Sequence, residues 1–508
     1  MTDSGDIIYA VHGSNAHTWW RRLANRRYPW WRRWSLFCWE LRRAIGRDCE
    51  IREFRWSGGN THQARLEAGA RLAKIIASDS SGRKIHIVGH SHGGNVALTA
   101  VNQLQPHRVE SVILLANPNI AVRENGSSPK WLYWGDASER VARLWNLYSP
   151  QDIVQCRLVR LFHGIHGTNR KDLLLQPTYE SPSGKVQNGQ VHWAEKLAAH
   201  RGMHSGSMGA VVGSLLRGET FENALKAAGL SADNPNHVRD RGGWPGIERT
   251  QEMIRQRADP RAFDFGAGGK EVTVLFVHGF TASPSEMRTM AQFMAQRTGW
   301  RCKGILLPGH GTRVEDLQDT RGEDWVRAAE SAYEELAKEC RHVLLVGLSM
   351  GAVLCCHVAR RRSGDSRLRG LILMAPAFGI TPARALLLRL AAPVTKLRSK
   401  GKRAADYFLD HRLYSYLQTP LNRAKDVLRL GREAVSAVGE LHNVPVLMFA
   451  GEKESTVSLK TMLSVAGRNP WIQLVKLPQS RHILTLEPDR EKVFEASARF
   501  VEQCVRDF

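Results

Sequence analysis

The sequence lacks the features that mark several classes of protein. Its apolar runs all fall short of the roughly 18 consecutive residues that a membrane-spanning helix needs. Its start, MTDSGDIIYAVHG, has no basic region before the first apolar run, so we expect no cleaved signal peptide. Its 8 cysteines form no C-x-x-C pair and do not cluster with histidines at zinc-site spacing. These absences predict reduced thiols and a cytoplasmic location.

Nucleic-acid signatures are also missing, although the chain is strongly basic. Lys and Arg outnumber Asp and Glu by 72 to 49, which gives a net charge of +23. Such a surface attracts polyanions, but an Arg-rich composition alone explains it equally well, and zinc-finger, RNP and basic-zipper motifs are absent. The GAGGK segment at 266–270 lacks the spacing of a phosphate loop and follows no strand. We therefore expect no nucleic-acid partner, no cofactor and no metal.

A repeated order of elements is what the chain does contain. Each half begins with an apolar strand that ends in His-Gly, at Ile7–Val11 and again at Val272–Val277. A helix, a second strand, another helix, a third strand and a glycine-rich turn then follow in both halves. Strands that alternate with helices predict an α/β fold, in which helices flank a mostly parallel sheet. The amino-acid sequences of the two halves differ, which favours two different domains over a recent duplication.

The length of 508 residues accommodates two or three domains. We predict a first domain over 1–217, a polar, turn-rich linker over 218–269 with one short helix near 247–257, and a second domain over 270–508. In the second domain, an insertion falls at about 378–425, between elements that the first domain joins more directly.

The glycine-rich turns have the pattern G-x-S-x-G, at Gly89–Gly93 and Gly347–Gly351. Each follows an apolar strand and precedes a helical stretch. A serine on such a sharp turn, here called the elbow, projects its hydroxyl above the sheet, and the flanking glycines let strand and helix approach closely. Ser91 and Ser349 are therefore the candidate nucleophiles; a glycine-rich turn with an incidental serine is the alternative for each.

Acyl transfer also needs two backbone N–H groups for the developing oxyanion. One comes from the residue after the serine, and the other from the loop after the first strand of the domain. In the first half these residues are His92 and Ser14, and in the second half they are Met350 and Phe280. We interpret the histidines of the two His-Gly pairs as structural supports of that loop.

A base and an orienting acid must follow the serine. In the second half, the apolar strand Val444–Ala450 precedes Glu454, with Glu452 as the nearer rival, and His482 is the histidine that lies downstream of the acid.

In the first half, Asp152 follows the predicted strand Leu144–Tyr148, although a turn and one carboxylate also suit a helix start. We predict His204 as the base, because it directly precedes an apolar stretch expected to form the last helix; His200 is the runner-up. The other downstream candidates are His163, His166 and His192. A metal site in this group is disfavoured, since carboxylates at helical spacing are missing.

At this point the second half resembles the α/β-hydrolase superfamily, and within it the bacterial carboxylesterases and monoacylglycerol lipases. The resemblance rests on VLFVHGFTASPSEMR, LPGHGT, VGLSMGA, YLQTPLNRAKDVLRL, VPVLMFAG and LPQSRHILTLEPDR, which span nearly all of residues 270–508. It implies a catalytic triad of Ser349, the acid at 454 and His482, with Phe280 and Met350 as oxyanion donors. It also implies that the insertion at about 378–425 forms a helical cap.

Two residues depart from that family's pattern. The family usually has Asp where this chain has Glu454, and Gly where it has Arg481. Residues 1–217 are similar, more loosely, to lipase-like serine esterases through the VHG start, F-x-WSG and HIVGHSHGGNVAL. That resemblance implies a triad of Ser91, Asp152 and His204.

Two basic stretches also carry apolar side chains. Residues 17–34 hold five Trp and six Arg and no acid, which suits peripheral contact with a lipid surface. We favour the alternative, an amphipathic helix that packs on the sheet through Trp30, Trp34, Phe37, Leu41 and Ile45. Residues 380–405 combine seven Lys or Arg with Leu386, Leu387, Leu388 and Leu390 and no acid, which predicts a lipophilic lid with a basic flank.

The sequence thus predicts a carboxylic ester hydrolase with two serine-hydrolase domains. Its substrates would be short- to medium-chain esters, monoacylglycerols or other lipid esters, cleaved through an acyl-serine. One alternative is a single active esterase domain fused to a non-catalytic binding module of the same fold. Another is an antibacterial phospholipase effector that is exported without a signal peptide.

Overall fold

The computed structural model divides the chain into two compact units, Met1–Pro245 and Gly246–Phe508. It describes residues 5–14, 29–123, 128–152, 154, 173–181, 183–195, 199–232, 234–238, 242–266, 270–381 and 395–506.

The first unit alternates strands and helices, as the sequence predicts. Its elements are β1 Asp6–Val11, α1 Leu36–Ile45, β2 Cys49–Phe54, α2 His62–Ala77, β3 Ile85–His90, α3 His92–Asn102, β4 Val109–Leu115, β5 Asn119–Val122, β6 Lys130–Trp131, β7 Val141–Tyr148, β8 Leu173–Gln176, β9 Val186–Gln190, α4 Ala199–Gly202, α5 Gly206–Arg217 and α6 Phe221–Ala227.

A six-stranded parallel sheet forms the centre of this unit, in the order β2-β1-β3-β4-β7-β9, and β6-β5-β8 form a small antiparallel sheet. Both faces of the large sheet are covered, so β1 is buried along its whole length. Ile7, Tyr9 and Val11 pack into one core with α2 and α3, and Ile8 and Ala10 pack into the other with α1 and α5. This is why β1 reads as a continuous apolar run.

The described tryptophans before α1, which are Trp30, Trp31 and Trp34, are part of the core. Trp30 and Trp34 are buried with Phe37, in agreement with the favoured packing interpretation, but both precede the helix, which begins at Leu36. The start is fixed by Ser35, whose hydroxyl accepts the N–H of Cys38 at 3.1 Å, an N-cap worth about 1 kcal/mol. The observed helix α1 is therefore shorter than the helix that the apolar pattern predicts.

The second unit repeats the same plan with a longer insertion. Its elements are α7 Ile247–Arg257, β10 Phe263–Phe265, β11 Val272–Val277, a 3₁₀ turn Pro284–Glu286, α8 Arg288–Thr298, β12 Arg301–Ile305, α9 Val314–Asp319, α10 Gly322–Glu339, β13 His342–Leu348, α11 Met350–Arg361, β14 Leu368–Met374, β15 Leu397–Ser399, α12 Lys402–Asp410, β16 Gln418–Pro420, α13 Leu421–Gly439, β17 Val446–Gly451, α14 Leu459–Arg468, β18 Ile472–Leu477 and α15 Arg490–Arg506.

Its sheet has seven strands in the order β10-β12-β11-β13-β14-β17-β18. All neighbours are parallel except β10, which pairs antiparallel with β12 at the edge. In parallel sheets, ligands bind outside the carboxyl ends of the strands. The loops after β11, β13, β17 and β18 therefore share one edge, and these loops carry the predicted site residues of the second half.

Two regions differ from a simple linker and a simple cap. The segment 218–269 contains α6, whose Ala224 and Leu225 lie in the core of the first unit, and α7, whose Gln251 accepts the N–H of Leu417 at 2.8 Å in the second unit. The described part of the cap holds α12 and the antiparallel pair β15–β16. The four predicted lid leucines lie outside the described residues.

None of the described helices has the length and hydropathy that a membrane span requires. The seven cysteines in the described part of the chain are not joined in disulfides.

Candidate active site

The two elbows have the same strained backbone. Ser91 has φ 53° and ψ −135°, and Ser349 has φ 55° and ψ −111°, values that a residue with a side chain rarely adopts. Such a conformation costs about 1–3 kcal/mol and persists only where the surroundings impose it. In both units the serine N–H is held by the neighbouring strand: Ser91 donates to Leu115 and Ser349 to Met374, each at 2.8 Å. The strain indicates a functional turn in each unit.

The glycine two residues after each serine allows this turn. A methyl group on Gly351 would overlap the carbonyl oxygen of Val277, and one on Gly93 would overlap the carbonyl oxygen of Val11. The elbow helix therefore packs directly on the end of the first strand in both units.

The loop after the first strand lies against the serine. A methyl group on Gly13 would be 2.8 Å from Ser91 Cβ and 3.3 Å from its Oγ, and one on Gly279 would be 3.4 Å from Ser349 Cβ. The next residues are the predicted oxyanion donors Ser14 and Phe280.

The other two predicted donors, His92 and Met350, are buried first residues of α3 and α11. The N–H groups of a first helical turn have no acceptor within the helix. The described geometry is thus compatible with an oxyanion site in each unit.

The histidines of the His-Gly pairs support this loop, in line with the sequence interpretation. Nε2 of His12 accepts the N–H of Trp56 at 3.3 Å, and Nε2 of His278 accepts the N–H of Leu307 at 3.1 Å. Nδ1 therefore carries the proton and donates to the following glycine carbonyl, at 2.8 and 2.9 Å. Burial lowers the pKa of His278 to about 4, so the ring stays neutral.

In the second unit the structure brings Glu454 and His482 together. Nδ1 of His482 donates to Oε2 of Glu454 at 2.7 Å, and the side chain of the glutamate has no exposed area. With Nδ1 bonded to the acid, Nε2 is the nitrogen left to act as a base. Glu452, the rival acid, is exposed and donates its N–H to Leu477.

The turn after β17 accommodates the longer Glu in place of the family's usual Asp. Oε1 of Glu454 accepts the N–H groups of Ser455 at 2.7 Å, Thr456 at 2.6 Å and Val457 at 3.4 Å. Burial by itself would raise the pKa of Glu454, but its hydrogen bond to His482 and the backbone donors outweigh burial, and the pKa is lowered. The acid is therefore held as a carboxylate beside the histidine.

In the first unit the acid is Asp152, as predicted, but its partner is His200. Nδ1 of His200 donates to Oδ2 of Asp152 at 2.7 Å, and the Asp152 side chain is fully buried. The choice of His204 is therefore wrong as to the partner of the acid. A short helix, α4 at Ala199–Gly202, precedes α5. The histidine that contacts Asp152 therefore lies in α4, about one helical turn before the residue that directly precedes α5.

His204 packs against aromatic rings instead. Its ring stacks on Trp30 with centroids 5.8 Å apart, and it meets the ring of His90 edge-on at 4.7 Å. His90, directly before Ser91, donates from Nε2 to the carbonyl of His200 at 2.9 Å. Burial among these rings holds the pKa of His90 well below its usual range. Neutral His90 thus ties the segment of His200 to the elbow. Of the other candidate bases, His192 contacts Gln151 and Gln190, and His163 and His166 lie outside the described residues.

A cavity of about 590 Å³ opens above Ser349 in the second unit. Phe280 and His482 also line it, so the candidate nucleophile, the candidate base and one residue of the predicted oxyanion loop face the same space. The cap supplies much of the remaining wall, through residues that include Arg398, Lys400, Tyr407, Phe408 and Leu421.

Glu286 is a site residue that the sequence analysis missed. It lines the cavity, it is 3% exposed, and its carboxyl accepts the N–H of Gly279. Burial raises the pKa of Glu286 to about 7, against the lowering effect of that hydrogen bond and of the charges of His482 and Lys400. The sequence offers one signal for Glu286. It is an acidic residue beside Met287 in the stretch SPSEMR, where amphipathic patterning does not require an acidic residue.

Residues 274–496 match the alpha/beta hydrolase family. The match lies within the second unit, whose sheet order and elbow are those of the α/β-hydrolase fold. The thermostable monoacylglycerol lipase of Bacillus sp. strain H-257 is 28% identical over 240 residues, which cover 46% of this chain and 92% of the lipase. The carboxylesterase of Bacillus subtilis strain 168 is 23% identical over 250 residues, 48% of this chain and 97% of the esterase.

Among solved structures, the monoacylglycerol lipase of Paleococcus ferrophilus has a TM-score of 0.40 and 17% identity. It covers 49% of this chain and 98% of that lipase.

Proposed function

We propose that the second unit is a serine ester hydrolase that acts on short- to medium-chain esters or monoacylglycerols. The observation that carries the proposal is that Ser349, on its strained elbow, and His482, bonded to buried Glu454, line one cavity. The names of the two bacterial relatives, a monoacylglycerol lipase and a carboxylesterase, support the same substrate class. The cavity volume of about 590 Å³ is in the range of roughly 300–1,000 Å³ that holds small ligands.

The proposed reaction proceeds through an acyl-serine. Nε2 of His482 accepts the Ser349 proton as Oγ attacks the ester carbonyl, and the oxyanion is held by the N–H groups of Phe280 and Met350. The C–O bond to the alcohol then breaks, and the imidazolium returns the proton to the departing alcohol. A water activated by His482 attacks the acyl-serine, which releases the acid and restores the serine.

The experiment is covalent labelling of the full chain with a fluorophosphonate, followed by peptide mapping. A phosphonyl group on Ser349, together with hydrolysis of p-nitrophenyl butyrate that the label abolishes, is the expected result. An unlabelled Ser349 in a chain that still hydrolyses the ester would overturn the assignment.

We infer a second serine-hydrolase site in the first unit. It is supported by the backbone of Ser91, which deviates from that of Ser349 by only 2° in φ, and by the His200–Asp152 contact at 2.7 Å. The competing possibility is a binding module that retains the fold without the chemistry. Labelling of Ser91 in the same mapping experiment supports a second enzyme, and a Ser91 that stays unmodified while Ser349 reacts supports the module.

A further inference from the structure

The lining of the cavity above Ser349 contains two chemically different sets of side chains. One set is apolar, and α13 supplies much of it through Leu421, Val427 and Leu428. The other set is cationic and consists of Arg398, Lys400, Arg403 and Arg481. A pocket that binds only neutral esters has no need of these cations, because they do not improve the burial of a hydrocarbon chain.

The cations outnumber the acids that line the same cavity. These acids are Glu286 and Glu487, and burial raises the pKa of both, to about 7 for Glu286. Arg398, Arg403 and Arg481 are exposed. The charge and the backbone N–H of Arg481 act to lower the pKa of Glu487, against the effect of burial.

One of these cations, Lys400, lies beside the predicted oxyanion loop. Nζ of Lys400 donates to Oγ1 of Thr281 at 2.5 Å and to Oγ of Ser415 at 3.0 Å, and it lies 5.2 Å above the ring of Phe408. Thr281 directly follows Phe280. Arg481 directly precedes His482. Cations thus flank the reacting centre on both the oxyanion side and the base side.

We propose that the second unit selects esters that carry an anionic group, a carboxylate or a phosphate, in addition to their acyl chain. The inference rests on the proposed esterase function and specifies its substrate class. The apolar side chains of α13 take the hydrocarbon, and the arginines take the anion, since a guanidinium binds carboxylate and phosphate through paired N–H donors.

The test uses the full chain with Ser91→Ala, so that the first unit does not contribute, and two matched pairs of substrates. The first pair, p-nitrophenyl butyrate and mono-p-nitrophenyl succinate, places the charge on the acyl side. The second pair, 1-butyrylglycerol and 1-butyrylglycerol 3-phosphate, places it on the alcohol side. We expect kcat/KM to favour the anionic member of at least one pair by about tenfold at low salt, and the preference to shrink as salt screens these exposed cations. The pair that shows it identifies the side of the ester on which the anion sits.

Arg403→Gln and Arg481→Gln test whether the cavity cations cause the preference. Each should lower the ratio of anionic to neutral kcat/KM by about three- to tenfold, mainly through the KM of the anionic ester. Arg432→Gln is the matched control, because Arg432 is an exposed arginine of α13 outside the cavity lining, and it should leave the ratio unchanged.

The outcomes separate the two proposals. Hydrolysis of butyrate with no anionic preference in either pair overturns the anion site and leaves the esterase standing. A preference that Arg432→Gln reduces as much as the cavity variants do would show a general surface charge effect, which also overturns the site. A chain that hydrolyses none of the four esters overturns both proposals.

Discussion

The two units arrange the serine alike, and the described contacts behind the pair of histidine and carboxylate differ. In both, the serine has φ near 55°, and a histidine donates from Nδ1 to a buried carboxylate at 2.7 Å. In the second unit, three backbone N–H groups of the acid's own turn fix Glu454. In the first, the segment of the histidine is fixed by His90, which binds its backbone. The comparison shows that the sheet and the elbow place the serine in the same way in both units. The contacts that hold the pair of histidine and carboxylate come from loops and differ between the units.

The largest expected effect comes from removing each nucleophile. Ser349→Ala should lower the ester turnover of the second unit by about three to six orders of magnitude, because the oxyanion site and binding alone leave little catalysis. Ser91 should still accept the fluorophosphonate in that variant, and Ser349 should still accept it in Ser91→Ala. The labelling rate of Ser91 in Ser349→Ala and that of Ser349 in Ser91→Ala measure directly whether the two serines react independently. A chain in which Ser349→Ala also silences Ser91 would mean that the sites are not independent.

The first unit distinguishes between two histidines. In a Ser349→Ala chain, His200→Ala should slow fluorophosphonate labelling of Ser91 by about a thousandfold, since the imidazole on Asp152 is lost. His204→Phe keeps a ring against Trp30 and should change the rate by less than about tenfold. Mass-spectrometric time courses give both rates. Equal losses would restore His204 as a candidate base.

The glutamate of the second unit can be compared with the family's usual aspartate. In a Ser91→Ala chain, Glu454→Ala should lower kcat/KM for p-nitrophenyl butyrate by about a hundredfold or more. Glu454→Asp should lose about tenfold, because the shorter side chain cannot both accept the turn N–H groups and reach His482. Exposed Glu452→Ala is the control and should stay within twofold of the parent. Full activity of Glu454→Asp would show that the turn contacts do not orient the acid.

The smallest effect concerns Glu286, to which the first unit offers no described counterpart on its loop. The folded-state pKa of about 7 exceeds the usual value of 4.5, so the folded protein retains a proton that the unfolded chain loses. Stability from this group is present below pH 4.5 and lost as the pH rises to about 7, by about 3 kcal/mol in total. Urea unfolding of wild type and Glu286→Gln at pH 5 and pH 8 tests this. The stability difference should move in favour of the glutamine variant at pH 8, and a difference independent of pH would contradict the raised pKa.

Much of the fold was predictable because its signals are local. The strand Val272–Val277 is confirmed with its predicted bounds, and Ile7–Val11 differs from β1 by one residue. Buried parallel strands are apolar throughout, and each elbow joins a strand to a helix within a few residues. Residues that are neighbours in the sequence are therefore enough to predict both features.

The pairing of acid and base was predictable only where the sequence left one choice. His482 follows Glu454 without a competitor, whereas five histidines follow Asp152 within the predicted first domain, 1–217. The choice between His200 and His204 depends on α4, a four-residue helix that has too little periodicity to be read from sequence. Glu286 escaped notice because its burial involves residues distant in sequence, such as Thr485, whose hydroxyl donates to the carbonyl of Glu286.

The glycines behind the two serines have a consequence for folding. Because Gly93 packs on the carbonyl of Val11, and Gly351 on that of Val277, neither elbow can reach its strained shape until a strand made much earlier in the chain has docked beside it. Such non-local closure is slow compared with the formation of a helix. A ribosome-bound fragment that already contains the serine but has not yet assembled its sheet should therefore be unreactive, and serine reactivity would report, unit by unit, the moment at which folding is complete.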